Sequence, residues 1–142
     1  MNIIKDMINS ADKDNIYLAA TIIRDSNTLD KRLLKDISLF DRIKDYSDVY
    51  KELNEEEKQS PFDKIKQIER LFNGSWKKDR NNINQEKWYP YFYIVSGSLV
   101  FSVSSCRHHR SSIFSGQVGF YKDEKTSDFI GKTFIKIYEE IM

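Results

Sequence analysis

The sequence predicts an α+β fold: N-terminal helices, a three-stranded antiparallel meander and a C-terminal helix packed on the sheet. From Met1 to about Phe72 apolar residues recur at spacings of three and four, the period of an amphipathic helix. From Lys87 onward the period changes to two, that of a half-buried strand. The chain then closes on a stripe of helical spacing, Phe129, Ile130, Phe134, Ile137, Tyr138 and Ile141, which is wide enough to cover one face of a small sheet.

Ile3, Ile4, Met7 and Ile8 form a first short stripe. Ile16, Leu18, Ala19, Ala20, Ile22 and Ile23 form a second that is apolar around more of its circumference, so it is expected to lie between neighbours. Thr28 is expected to cap a third helix with Leu29, Leu33, Leu34, Ile37, Phe40 and Ile43 on one face. A short element, SDVYKEL, follows. The acids and proline of LNEEEKQSP then mark an exposed connection, with Glu55, Glu56 and Glu57 as a solvated helix end. The clearest helix start is Ser60 as N-cap, with Pro61 at the first helical position and Asp63 three residues after the cap as an acidic form of the capping box. Its stripe is Phe62, Ile65, Ile68, Leu71 and Phe72. Asn73-Gly74 ends it, because glycine reaches the left-handed conformation at little steric cost.

KWYPYFYIV is rich in aromatic and β-branched residues, and Ser96-Gly97 supplies a turn. SLVFSVSS alternates Leu99, Phe101 and Val103 against Ser98, Val100, Ser102 and Ser104, so the first set is expected to face the core under Phe129, Phe134, Ile137 and Tyr138. Pro90 cannot donate to a ladder and belongs at an edge, a bulge or a strand's start. A third strand is expected over about Ile113 to Tyr121, loosened by Gly116 and Gly119, and Asp123 is expected to cap a single final helix. Together these make one domain, 1–142, with residues 1–44 as a helical add-on to an α+β core at 45–142.

Lys and Arg total 23 against 22 for Asp and Glu, so no whole-molecule field favours a polyanion and any nucleic-acid contact must come from a local patch. The single cysteine, Cys106, excludes an internal disulfide framework. The start MNIIKDMINSADKD carries acids where a signal peptide needs an unbroken apolar run, and no run approaches the roughly 18 apolar residues of a membrane span. The expectation is a cytoplasmic protein without membrane association.

Residues 73–92, NGSWKKDRNNINQEKWYPYF, set both tryptophans beside a dense run of amides and charges. One reading is structural: Trp76 and Trp88 anchor an irregular polar loop, each withdrawing on the order of 200 Å² from water, while Asn and Gln side chains satisfy loop backbone groups. The other is functional. Alternation puts Tyr89, Tyr91 and Tyr93 on one face, where Lys77, Lys78, Arg80 and Lys87 would surround stacking platforms with phosphate-reaching cations.

The segment SSCRHHRSS, residues 104–112, is the other unusual stretch. His108 and His109 are adjacent, so on a strand they point to opposite faces and cannot chelate one ion, and no metal is expected. Cys106 and His108 share a face, but no third group orients them, so no catalytic residue is assigned and no cofactor is expected. Arg107 and Arg110, with the two histidines between them, make a basic, hydroxyl-rich hairpin tip suited to a phosphate backbone or an acidic protein surface. The alternative is a solvated tip with no partner.

From about Tyr46 to the C-terminus the order of features resembles a family of small uncharacterised proteins of phages and prophages in Bacteroidetes bacteria. The matching features are Asn73 and Trp76, then KKDRNNINQ, KWYPYF, a hairpin, and IGKTF at 130–134. Lys78 stands where that family usually has proline, and Arg80 where it usually has tryptophan. The resemblance implies a phage setting rather than a mechanism. It leads to the expectation of a non-enzymatic accessory protein in the cytoplasm of a bacterial host, binding a host protein or ribonucleoprotein, with an inhibitor of a bacterial defence system, anti-CRISPR-like, as its sharpest form. The rival expectation is a single-stranded RNA- or DNA-binding module. For either, the working surface is Lys77, Lys78, Arg80, Lys87, Tyr89, Tyr91, Arg107, His108, His109 and Arg110.

Overall fold

The computed structural model describes residues 2–79, 81–82, 84–107 and 119–141. The chain divides into two compact units, Met1–Glu55 and Glu56–Met142. The first contains α1 (Asn2–Ile8), α2 (Lys13–Asp25), a 3-10 helix (Lys31–Asp36), α3 (Leu39–Arg42) and α4 (Tyr46–Glu52). The second contains α5 (Pro61–Asn73), β1 (Lys87–Val95), β2 (Ser98–Arg107), α6 (Glu124–Thr133) and α7 (Ile135–Ile141). Among the described residues no helix is long and apolar enough to cross a membrane.

In the first unit the stripes of α1 and α2 meet as their spacing requires, with Ile4, Ile16, Ala19, Ala20, Ile23 and Ile37 forming a buried cluster. The expected third helix is instead broken in two. Asp30 accepts from the Arg32 N–H and Ser38 from the Phe40 N–H, so each side chain opens a fresh short helix, and Ile37 between them is extended. Local capping by short polar side chains outcompetes one continuous helix, while Leu33, Leu34 and Ile37 still reach the same cluster. Lys31 Nζ closes α2 by donating to the carbonyls of Ile23 and Ser26, both at 2.6 Å.

Polar groups tie α4 to α2. Arg24 is almost fully buried and donates to Asp48 and Glu52, each at 2.9 Å. Arg42 also pairs with Glu52, and the Tyr17 hydroxyl donates to Asp48 at 2.8 Å. A buried carboxylate persists only when its oxygens are matched by donors, and Asp48 further accepts the Lys44 N–H. These pairs place the helix after residue 44 in the first unit. Its N-terminus is closed by a reciprocal Asp45–Asp48 capping box.

In the second unit α5 begins at Pro61 and ends at Asn73, with Gly74 at φ 57°. The expected capping box at its start is absent: Ser60 occupies the N-cap position with extended dihedrals, but its side chain makes no cap hydrogen bond. Pro61 already fixes the first helical φ and removes one of the donors that a cap would satisfy. β1 and β2 pair antiparallel around Ser96-Gly97, both at positive φ, the geometry of a two-residue hairpin loop.

The sheet of the described residues has two strands rather than the expected three. Residues 113–118 of the expected third strand lie outside the described residues. Its final residue, Tyr121, makes one antiparallel bridge with Trp88, and Gly119 at φ 94° is incompatible with a strand running through it. The bridge also explains Pro90. Trp88 turns its N–H and carbonyl toward Tyr121, so two residues on the missing N–H of Pro90 falls on the same edge, away from β2, and costs the β1–β2 ladder nothing.

The alternation along β2 is interrupted. Tyr91 pairs with Val103 but Phe92 pairs with Phe101, which leaves Ser102 as an extra residue, a β-bulge. The bulge shifts parity, so Val103, expected in the core, is 57% exposed, and Ser104 takes the inward position, where its hydroxyl bonds Ser127 at 2.8 Å. The helix expected to cover the sheet is also two helices, which part at Phe134. α6 lies on β1 and β2, and α7 packs on α5 and also reaches the ribbon, where Tyr138 meets the Phe92 ring at 4.8 Å. Close approach of α6 depends on Gly131: a Cβ there would stand 2.5 Å from the Phe101 ring and 2.7 Å from Pro90 Cβ.

Candidate functional site

The polar loop before β1 is held by a cation and an amide. Lys87, at 5% exposure, donates from Nζ to the carbonyls of Asn82 at 3.2 Å and Gln85 at 3.4 Å. The Gln85 side chain donates to the Lys77 carbonyl and accepts from the Asp79 N–H, bridging the two ends of the turn. Asp79 and Asn82 side chains accept from backbone N–H groups two residues on, as short polar side chains do in turns. The ammonium of Lys87 is therefore spent inside the protein. Trp76 and Trp88 are half-buried, and the Trp88 indole donates to Glu86 at 3.2 Å.

Beyond Lys87 the same face of β1 carries Tyr89, Tyr91 and Tyr93. Tyr89 sets its ring edge-on to Phe120 at 5.8 Å, and Lys78 Nζ sits 5.3 Å from the centre of that same ring. Phe120 thus joins the loop to the strand, and a cation over an aromatic face is attractive. Tyr91 and Tyr93 follow at 55% and 48% exposure, beside Val103 across the ladder. The outcome is a strip that starts at a lysine and continues as exposed tyrosine and valine.

Where α5 ends, a concavity of about 250 Å³ is lined by Glu69, Arg70, Asn73, Trp76, Lys77 and Lys78. Its floor is fixed by the segment after Gly119. The Glu69 carboxylate accepts the Gly119 N–H, while the Asn73 amide donates to the Phe120 carbonyl at 2.9 Å and accepts the Lys122 N–H at 3.2 Å. Behind it the hydroxyls of Tyr121 and Tyr138 are buried beside one another and near Glu69, and among the described residues neither makes a well-formed hydrogen bond. Burial raises the pKa of both phenols, and the Glu69 charge adds to the rise.

Of the residues expected at the working surface, Lys78, Tyr89 and Tyr91 fall on one strip and Lys77 is exposed beside it. Lys87 faces the loop carbonyls. Arg107 ends β2 opposite Lys87, and Arg80, His108, His109 and Arg110 lie outside the described residues. Cys106 is half-buried, and its pKa is raised first by desolvation and then by the Glu86 charge, which keeps the thiol protonated at neutral pH. Among the described residues no group of three or more His, Cys, Asp or Glu is placed to hold a metal ion. Sequence reasoning missed Phe120 as the joint between loop and strand; its only signal is an aromatic between Gly119 and Tyr121 in a segment with strand-like composition. No family model, curated protein or solved structure matches the chain.

Proposed function

We propose that this is a non-enzymatic accessory protein that binds a protein partner through the outer face of its β-ribbon. The observation that carries the reading is the exposed run Tyr91, Tyr93 and Val103, continued by Val95 at the end of β1. Tyrosines offer contact area at low entropic cost, and a contiguous apolar face is costly to leave in water. A protein surface is favoured over single-stranded nucleic acid because Lys87, the cation closest to the tyrosines in sequence, is engaged with carbonyls and cannot reach phosphate. The raised pKa of Cys106 weighs against that thiol as a nucleophile. The sharper form, a phage-derived inhibitor of a bacterial defence system, rests on the family resemblance alone.

Affinity capture from a phage-infected bacterial host, with bound protein and RNA identified, tests both. The parent should retain a protein that the Tyr91→Ser/Val103→Ser variant does not. Fluorescence anisotropy with labelled RNA and DNA at two salt concentrations supplies the contrast: affinity that falls steeply with salt would replace this reading with the nucleic-acid one.

A further inference from the structure

We infer that the outer face of the β-ribbon is a self-association surface, on which a second copy of this chain packs across a two-fold axis parallel to the strands; the inference rests on that face being a protein-binding surface. The register gives the face its composition. Tyr89 stands opposite Ser105, Tyr91 opposite Val103, Tyr93 opposite Val100 and Val95 opposite Ser98, and directly opposed residues share a face. Positions 88–106 carry no Asp, Glu, Lys, Arg or His, in a chain that is 32% charged. The water-facing side of an antiparallel sheet is normally polar, and charges are what keep exposed ribbons apart. In a two-fold contact each group near the axis meets its own kind, so any charge there would face a like charge. A face without charge meets that condition along its whole length.

Shape selects a second copy as the occupant. Tyr89, Tyr91 and Tyr93 fill the β1 side of the face, and Ser105, Val103 and Val100 the β2 side, so a ridge of large side chains runs beside a groove of small ones. Rotation about an axis parallel to the strands exchanges the two sides. It lays the β1 ridge of each copy over the β2 groove of the other, at the roughly 10 Å spacing of packed sheets. A two-fold rotation involves no sliding along its axis, so the register is fixed: Tyr91 meets Val103 of the second copy, and Tyr93 meets Val100. Size sets the strength. The stretch 89–95, at about 3.3 Å per residue, and two strands about 4.8 Å apart give a footprint on the order of 250 Å² a copy. That is well under the roughly 800 Å² per partner of a stable interface, so the pair is weak and gives up the face to a partner that binds it more tightly.

The test is sedimentation velocity of the full chain from about 10 µM to about 1 mM, joined at the upper end by NOEs filtered between isotope-labelled and unlabelled copies. The parent should move toward a dimer as concentration rises, and no less readily at about 500 mM salt than at about 50 mM, because no charge lies on the face. Filtered NOEs should join the Tyr91 ring to the Val103 methyls of the second copy. Val103→Glu, at a position 57% exposed, should fold as the parent does and raise the dissociation constant by roughly tenfold or more. Tyr91→Ser/Val103→Ser should weaken the pair in the same direction without adding charge. A parent that stays monomeric at about 1 mM, a dimer unchanged in both variants, a dimer that dissolves as salt rises, or growth beyond two copies overturns the inference. A monomeric parent whose Tyr91→Ser/Val103→Ser form still loses its captured host protein refutes the dimer and leaves the sheet-face reading in place. A dimer lost in that variant while the captured host protein is kept supports the self-contact and refutes the sheet-face reading instead.

Discussion

Replacing Gly131 by alanine separates helix propensity from packing, because the two act with opposite sign. Gly131 lies inside α6, and in a helix interior alanine is better than glycine by about 0.5–1 kcal/mol. Against that, the new methyl would stand 2.5 Å from two Phe101 ring carbons and 2.7 Å from Pro90 Cβ, well inside ordinary contact. Forcing a carbon into a packed interface costs about 1–3 kcal/mol. Pro90 is part of the strand backbone and cannot turn aside, so the packing cost should prevail, for a net loss of about 0.5–2 kcal/mol.

Both tryptophans, Trp76 and Trp88, lie in the unit that holds Gly131, so their fluorescence during urea unfolding reports on that unit alone. With a urea slope of about 1–3 kcal/mol per M, the midpoint should fall by a few tenths of a molar to about 1 M. Adding Phe101→Ala should relieve part of the strain, so the double variant should lose less than the two single losses combined. A midpoint equal to or above that of the parent would show that α6 does not sit this close to the ribbon.

In the first unit, Arg24→Ala leaves Asp48 and Glu52 buried with one counter-charge removed, and should cost about 3–5 kcal/mol by far-UV circular dichroism; a loss under about 1 kcal/mol would mean that solvent reaches the cluster. Tyr121 and Tyr138 have folded-state pKa values raised above the ordinary value of about 10, so the neutral phenols contribute stability that is present below about pH 10 and lost as pH rises toward the folded values. Alkaline titration followed by phenolate absorbance should therefore show these two ionising together with unfolding, and ionisation of every tyrosine while the fold persists would contradict their burial. Lys87→Met should loosen the loop at small cost in global stability, about 1 kcal/mol, seen as faster amide hydrogen exchange at residues 77–79 and 84–86; unchanged exchange would remove Lys87 as the tether. Deleting Ser102 removes the unpaired residue yet keeps Phe101 inward and Val103 outward, so the variant should fold with its tryptophan emission unchanged; loss of folding would show that the added twist of the bulge is needed under α6.

Much of the helical half is legible because apolar spacing survives local breakage. Leu33, Leu34 and Ile37 reach the core although the helix that was to carry them is divided at Ile37. What escapes is decided by competition between neighbours. Asp30 and Ser38 each read equally well as an exposed helical residue or as a cap, and only the packing of the surrounding turns selects the cap. The division at Phe134 is similar: the ring is buried against Phe72 at 6.4 Å, and while both helices reach the ribbon, α7 alone adds α5 as a partner. A continuous stripe in the sequence carries no mark of that added partner.

The candidate surface depends on one such hidden decision. Strict alternation from Leu99 puts Val103 in the core and Ser104 in water, and would leave Val100 and the serines of β2 beside the β1 tyrosines on the outer face. The bulge at Ser102 reverses both. Ser104 then meets Ser127 at the small-residue face of α6, where Gly131 also lets the ribbon come close, and Val103 joins Tyr91 outside. Inner and outer faces are thus products of the same slip: a polar pair is satisfied beneath the helix, and an apolar side chain is set beside aromatic ones in water. An alternation that merely hid apolar residues would have no use for the second consequence. The fold's own stability does not explain why Val103 sits exposed beside Tyr91.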